Sequence, residues 1–183
     1  MWRNAGVFET DVAGCIKVLQ ATLGDERGWF SRVFEAEGDE SIPVFKLAHV
    51  NNSWSKSAGT LRGLHWQVGD DAESKIVRCV RGSILDLVVD VRAESTTFGH
   101  SALIPLSADE PSIAVVPKGC AHGVLTMVDD SEIIYWADRP FAAVSERGLR
   151  FDDPFANLAL PITPIFVSEK DLSWADFRPY SWQ

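Results

Sequence analysis

Three side chains able to move protons stand in unusually shaped surroundings in this chain, with an arginine close by. His65 nearly closes the run Gly59-Thr60-Leu61-Arg62-Gly63-Leu64-His65-Trp66-Gln67. His122 follows the tight turn Pro117-Lys118-Gly119-Cys120-Ala121, and Tyr135 lies in the apolar run Glu132-Ile133-Ile134-Tyr135-Trp136. An imidazole ordinarily titrates near ~6.5, so it can accept a proton at neutral pH, and a phenol can return one. The guanidinium fork of Arg62 suits a phosphate. Taken singly, each histidine reads equally well as a core imidazole bonded to a backbone carbonyl. Strand alternation would turn Arg62 away from His65, but Gly63 between them permits a bulge that relaxes the pattern.

These groups need a rigid frame, and the pattern around them is β-rich. Lys75 to Val80 and Ser83 to Val91 are strand-like runs separated by the turn signal Arg81-Gly82. Further strands are expected at Cys15 to Leu19, Phe45 to Val50, Ser101 to Leu106, Ile113 to Val116 and Ile133 to Trp136. Helical periodicity is confined to Lys170 to Phe177, which predicts a short C-terminal helix. Strands at roughly ten-residue spacing, punctuated by Gly, Pro and Asp, predict a sandwich or barrel whose interior can gather both histidines. There is no repeat or linker, so a single domain is expected over residues 1–183.

Composition narrows the function classes. The chain is 46% hydrophobic with 10% aromatic residues, enough for a sizeable core. A formal net charge of -9 and the lack of a Lys/Arg stripe argue against a nucleic-acid surface. An anionic small ligand remains compatible, because a few convergent arginines dominate the field inside a cleft. No apolar run approaches a membrane span, and the first residues lack the apolar stretch of a signal peptide. Cys15, Cys79 and Cys120 have no zinc-like spacing and read as reduced thiols of a cytoplasmic protein.

The turn Pro117-x-Gly119-x-x-His122 resembles the second motif of the cupins, whose first motif normally supplies His-x-His and a glutamate as metal ligands. The matching stretch here is His65-Trp66-Gln67, without the second histidine, so a cupin with no metal and no cofactor is expected. Over nearly its whole length the chain resembles the dTDP-4-dehydrorhamnose 3,5-epimerase family. The matching landmarks run in order: Gly24 to Phe30, Asn51-x-Ser53-x-Ser55, Leu61 to Gln67, Lys75 to Cys79, Asp86 to Arg92 and Ser95-x-x-Phe98-Gly99. They continue with Pro117 to Gly123, Tyr135, Glu146 and Ser168-Glu169-Lys170-Asp171.

This resemblance implies an all-β cupin, a double-stranded β-helix or jelly roll with a short C-terminal helical decoration. It implies an isomerase that inverts C3, C5 or both in a nucleotide-diphosphate-linked 4-keto-6-deoxy sugar, with dTDP as the expected carrier. A 4-keto group acidifies the C–H bonds beside it, so inversion needs a base on one face and an acid on the other. By resemblance His65 is the base, Asp171 orients it, Tyr135 is the acid, and Lys75 stands beside the enolate oxygen. Arg62 and Arg27 match the diphosphate-binding arginines, although Arg27 beside Asp25 and Glu26 also reads as a surface ion pair. His122, Asn51, Phe30, Gln67 and Lys170 complete the expected substrate contacts, with Phe30 placed to stack on the base. The family also implies a homodimer that exchanges N-terminal strands.

The chain departs from the family at His49, where glutamine is usual, within Arg139-Pro140-Phe141, where a tyrosine is expected, and at Leu160-Pro161, where Trp-Pro is expected. These changes surround the nucleotide and the sugar's edge and leave the proton-transfer set intact. A single-centre epimerase, a 4-keto sugar isomerase and a non-catalytic sugar-nucleotide-binding cupin remain open at this level.

Overall fold

A computed structural model describes residues 4–38, 42 and 44–178. Two antiparallel sheets form the frame. The first takes its strands in the order β1 (Gly6–Glu9), β2 (Ile16–Leu19), β10 (Ser112–Val116), β7 (Lys75–Arg81), β12 (Ser131–Ala137) and β5 (His49–Ser55). The second runs β13 (Glu146–Gly148), β6 (Thr60–Gln67), β11 (Cys120–Thr126), β8 (Ser83–Asp90) and β9 (Ser101–Ser107), with β14 (Phe166–Val167) added in parallel to β6. A separate hairpin joins β3 (Thr22–Asp25) to β4 (Gly28–Ser31). This is the cupin jelly roll, and the one α-helix of the described residues is α1 (Glu169–Leu172).

Three apolar layers follow from strand alternation. Val77, Cys79, Ile84, Val88, Ile104, Val124 and Ile133 meet between the sheets, with Tyr135 packed against them. The outer face of the first sheet carries Ile16, Val18, Ile76 and Ile113, covered by Val33, Phe34, Ile42 and Phe45. The outer face of the second carries Leu61, Leu64, Trp66, Leu87 and Leu125, covered by Leu149, Phe151, Phe155 and Phe177. The central strands are therefore buried on two faces, which explains a run such as SILDLVVD, buried at all but its first position.

Two of the expected elements have a boundary that differs by more than two residues from the sequence expectation. The strand expected from Phe45 begins instead at His49, because Phe45 is drawn into the outer cluster and its N–H bonds the carbonyl of Ala36 at 3.1 Å. The expected helix over 170–177 stops at Leu172. Ser173 donates its hydroxyl to the carbonyl of Lys170, and the chain then runs extended, with Phe177 laid on the second sheet. The aromatic-rich stretch that begins at Trp174 follows this path as far as 178, and residues 179–183 lie outside those described. Cys15, Cys79 and Cys120 are buried free thiols, and burial pushes Cys15 and Cys120 up to about 12, which keeps them unreactive.

The bulge expected at Gly63 is present. His122 faces His65 and Val124 faces Arg62, so a step of two residues on β11 spans three on β6. Gly63 has φ +106, and a Cβ there would sit 2.6 Å from the carbonyl oxygen of His122 and 2.8 Å from Cα of Gly123. Gly63→Ala should therefore destabilise the fold by about 2–4 kcal/mol, combining an unfavourable φ with a backbone clash. Urea unfolding checks this; a loss within ~0.5 kcal/mol would mean that the two strands separate without cost.

Candidate active site

The bulge puts Arg62 and His65 on the same wall of a cavity of about 680 Å³ between the sheets. The second sheet contributes Arg62, His65 and His122. The first contributes Ser53, Lys75 and Tyr135, and the C-terminal segment closes the rim with Lys170 and Asp171. A smaller space of about 200 Å³ adjoins it and shares His65, Lys75 and Tyr135; its walls add His49, Asn51, Gln67, Phe141 and Glu146.

Asp171 reaches His65 through a local chain of causes. β14 lays residues 166–167 beside Thr60 and Leu61 of β6. Ser168 then caps α1, its hydroxyl accepting the N–H of Asp171 at 3.1 Å. This first turn directs the Asp171 carboxylate onto β6, where Oδ1 lies 2.6 Å from His65 Nε2 and Oδ2 accepts the N–H of Gly63 at 3.2 Å. With Nε2 committed to the carboxylate, Nδ1 is the imidazole nitrogen left to accept a proton. Burial pushes the Asp171 carboxyl upward, but the hydrogen bond and charge of His65, with the Gly63 N–H and Ser168, outweigh it and hold it below its ordinary 3.8.

Each of the other polar groups has its own partner. His122 Nε2 lies 2.8 Å from Oδ1 of Asp86, a carboxylate with no exposure, whose Oδ2 has no partner among the described residues. Lys75 Nζ pairs with Glu73 at 2.9 Å, both side chains nearly buried. Lys170 Nζ bonds both oxygens of Glu146 at 2.7 Å. Arg62 bonds the hydroxyl of Ser55 and the carbonyl of Trp54, each at 3.2 Å, and leaves the rest of its guanidinium toward solvent. Tyr135 stands opposite Asn51 in register on the first sheet.

Three of the expected contacts lie elsewhere or act otherwise. Gln67 lines the smaller space, but its amide is spent on backbone: it donates to the carbonyls of Asp71 and Pro140 and accepts the N–H of Ala142. It braces two loops at the rim instead of offering a hydrogen bond to a ligand. Arg27 and Phe30 sit on the β3–β4 hairpin and line neither space. Arg27, with 84% of its side chain exposed, is held by Asp25 at 2.5 Å, as in the ion-pair reading of the sequence, and Phe30 is exposed.

The sequence reading passed over Asp86, Glu73 and Glu146 as site residues. Asp86 carried a usable signal, a carboxylate among the otherwise apolar positions of a strand. Glu146 stood among the matching landmarks without a partner named for it, and Glu73 carried no signal, since one more acidic residue in an acidic stretch looks like any other. Among the described residues no group of three or more His, Cys, Asp or Glu is gathered as a metal site would gather it, and no helix is long and apolar enough to cross a membrane.

A base oriented by a carboxylate on one wall and a phenol with an ammonium on the other can take a proton from one face of a carbon and return it to the opposite face. That is epimerisation, and a jelly roll built around it places the chain among cupin-fold isomerases. A family model for dTDP-4-dehydrorhamnose 3,5-epimerase matches residues 9–179. The Shigella flexneri enzyme of that name is 34% identical over 172 residues, covering 93% of this chain and 95% of its own length. The Sinorhizobium fredii enzyme is 40% identical over 153 residues, covering 82% and 78%. The crystal structure of the Bacillus anthracis enzyme, with TDP and PPi bound, superimposes with a TM-score of 0.88 at 31% identity, covering 94% of this chain and 99% of that one. The chain belongs to the dTDP-4-dehydrorhamnose 3,5-epimerase family.

The depressed carboxyl of Asp171 sets a pH dependence. A group whose folded value is lowered adds stability above its ordinary value, and that stability is lost as pH falls through the folded value. Acidification from pH 6 to pH 3 should therefore weaken the wild type more than Asp171→Asn, which starts less stable. Urea unfolding at the two pH values measures this, and parallel losses would place the acid sensitivity elsewhere.

Proposed function

We propose that the chain inverts both C3 and C5 of a dTDP-linked 4-keto-6-deoxy hexose by proton abstraction and return through an enolate. The observation that carries this reading is the opposition of His65–Asp171 on one sheet to Tyr135 and Lys75 on the other, around one cavity. Nδ1 of His65 removes the proton next to the ketone, and the C–H electron pair moves into the ring to leave the enolate oxygen. The resulting imidazolium is stabilised by Asp171. Lys75 faces the enolate charge, the kind of pre-placed donor worth roughly 3 kcal/mol in a transition state, and so takes the part that a metal plays in other cupins. Tyr135 delivers its proton to the opposite face; solvent then reprotonates the tyrosinate and deprotonates His65. His122, fixed by Asp86, and Asn51 bond the sugar, while Arg62 and Lys170 receive the diphosphate at the open rim. The TDP held by the Bacillus anthracis relative supports thymine as the base.

The working unit in this reading is a homodimer in the cytoplasm. The β3–β4 hairpin pairs within itself and exposes Leu23, Trp29 and Phe30, carrying Arg27 away from the cavity of its own chain. A second copy would bring Arg27 to the diphosphate and Phe30 to the base.

Two measurements test these proposals. His65→Ala should abolish both C–H exchange with deuterated solvent and product formation, whereas Tyr135→Phe should lose inversion yet still exchange hydrogen on the face served by His65. Each loss should be on the order of 10²–10⁴-fold; wild-type exchange in His65→Ala would end the mechanism. For the dimer, inactive His65→Ala mixed with impaired Arg27→Ala should recover activity, because each mixed dimer holds one intact site. A monomeric mass in sedimentation, or no recovery on mixing, would exclude the shared site.

A further inference from the structure

Behind the His65–Asp171 pair stands a tryptophan that the proton-transfer scheme does not use. Trp174 follows Ser173, the residue that closes α1, and its ring centroid lies 6.4 Å from that of His65 at an interplanar angle of 64°. The indole rests on Gly148, the residue that faces His65 across the β13–β6 ladder. A Cβ at position 148 would fall 2.0 Å from Cε2 and 2.1 Å from Nε1 of the indole, so only glycine admits it. Lys170 Nζ lies 5.9 Å from the same ring, and Arg150 donates to the Trp174 carbonyl at 3.3 Å. The indole Nε1 is buried with no acceptor among the described residues. An orphaned N–H of that kind is a cost, so hydrogen bonding does not account for the ring's place. What the ring supplies is an apolar wall against the imidazole.

We propose that Trp174, seated on Gly148, is a positioning residue for the dyad: it keeps solvent water from the His65–Asp171 hydrogen bond and stops the imidazole from tilting away from its carboxylate. The inference rests on the reading of His65 as base. Asp171 is only 5% exposed, whereas the His65 side chain is 29% exposed and opens on the cavity. Trp174 lines neither cavity, and a barrier on that flank of the imidazole lowers the local dielectric, which strengthens a hydrogen bond between groups that become charged during turnover. It also limits the ring to the orientation in which Nδ1 meets the substrate carbon.

The test pairs proton NMR of the ligand-free protein with kinetics. An imidazole N–H held by a carboxylate and screened from water gives a slowly exchanging downfield proton, and this chain should show two, from His65–Asp171 and His122–Asp86. His65→Gln identifies the first by its loss. Trp174→Ala should erase the His65 resonance by exchange with water and leave that of His122 in place, which also reports that the fold is intact. It should lower kcat for C–H exchange by roughly 10- to 100-fold with little change in KM or in dTDP affinity. Gly148→Ala should reproduce both effects by forcing the indole away, and the double variant should be no worse than either alone. Trp174→Phe, which keeps an aromatic wall and removes the orphaned N–H, should restore most of kcat and the resonance. Retention of the His65 resonance in Trp174→Ala, or its loss with an unchanged kcat, would overturn the proposal, as would a fall in kcat matched by equal losses of dTDP affinity. If His65→Gln itself retained exchange activity, the functional reading would fail, while the resonance data would still decide whether Trp174 seals the pair.

Discussion

At Gly63 the backbone of β6 comes so close to β11 that no side chain fits between them, and the site depends on this contact. The bulge there lets Arg62 and His65 face one cavity although they are three residues apart. It also presents the Gly63 N–H to Asp171, so the residue that breaks strand alternation helps to hold the carboxylate orienting the base. A regular strand through this segment would turn Arg62 away from the cavity.

Around that contact the polar groups are arranged in pairs: His65 with Asp171, His122 with Asp86, Lys75 with Glu73 and Lys170 with Glu146. Buried and half-buried ion pairs contribute little net stability once desolvation is counted. What they supply is direction. Each carboxylate restricts the orientation of its partner at the cavity, so the polar groups are held in place before a ligand arrives. The pairing also divides the labour between the sheets, with imidazoles on one and the phenol and ammonium on the other.

The covering segments take part in the same division. Val33, Phe34, Ile42 and Phe45 seal the outer face of the first sheet and line neither cavity, whereas the C-terminal segment packs on the second sheet and also brings Asp171, Lys170 and Trp174 to the site. Packing under that segment therefore also fixes the position of Asp171 against His65.

Sequence alone pointed to the all-β architecture, to the central strands of the frame and to a candidate acid–base set, because alternation, turn residues and the ordered motifs are local or linear signals. His65, Tyr135, Lys75 and Asp171 were legible as a set only through that ordered resemblance. Tertiary structure alone decided who partners whom. Asp86 stands out as a carboxylate in a largely apolar strand, but its pairing with His122 depends on β11 packing beside β8. The helix ended early at Leu172 because the aromatic residues beyond it gain more by packing on the second sheet than by another helical turn, a balance that no helical periodicity records. Arg27 and Phe30 mark the limit of both: their motif is clear, yet the hairpin holds them away from the cavity of their own chain. Packing partners distant in sequence leave no local trace, and for that reason the candidate acid–base groups could be named from the order of the motifs while their positioning required the fold.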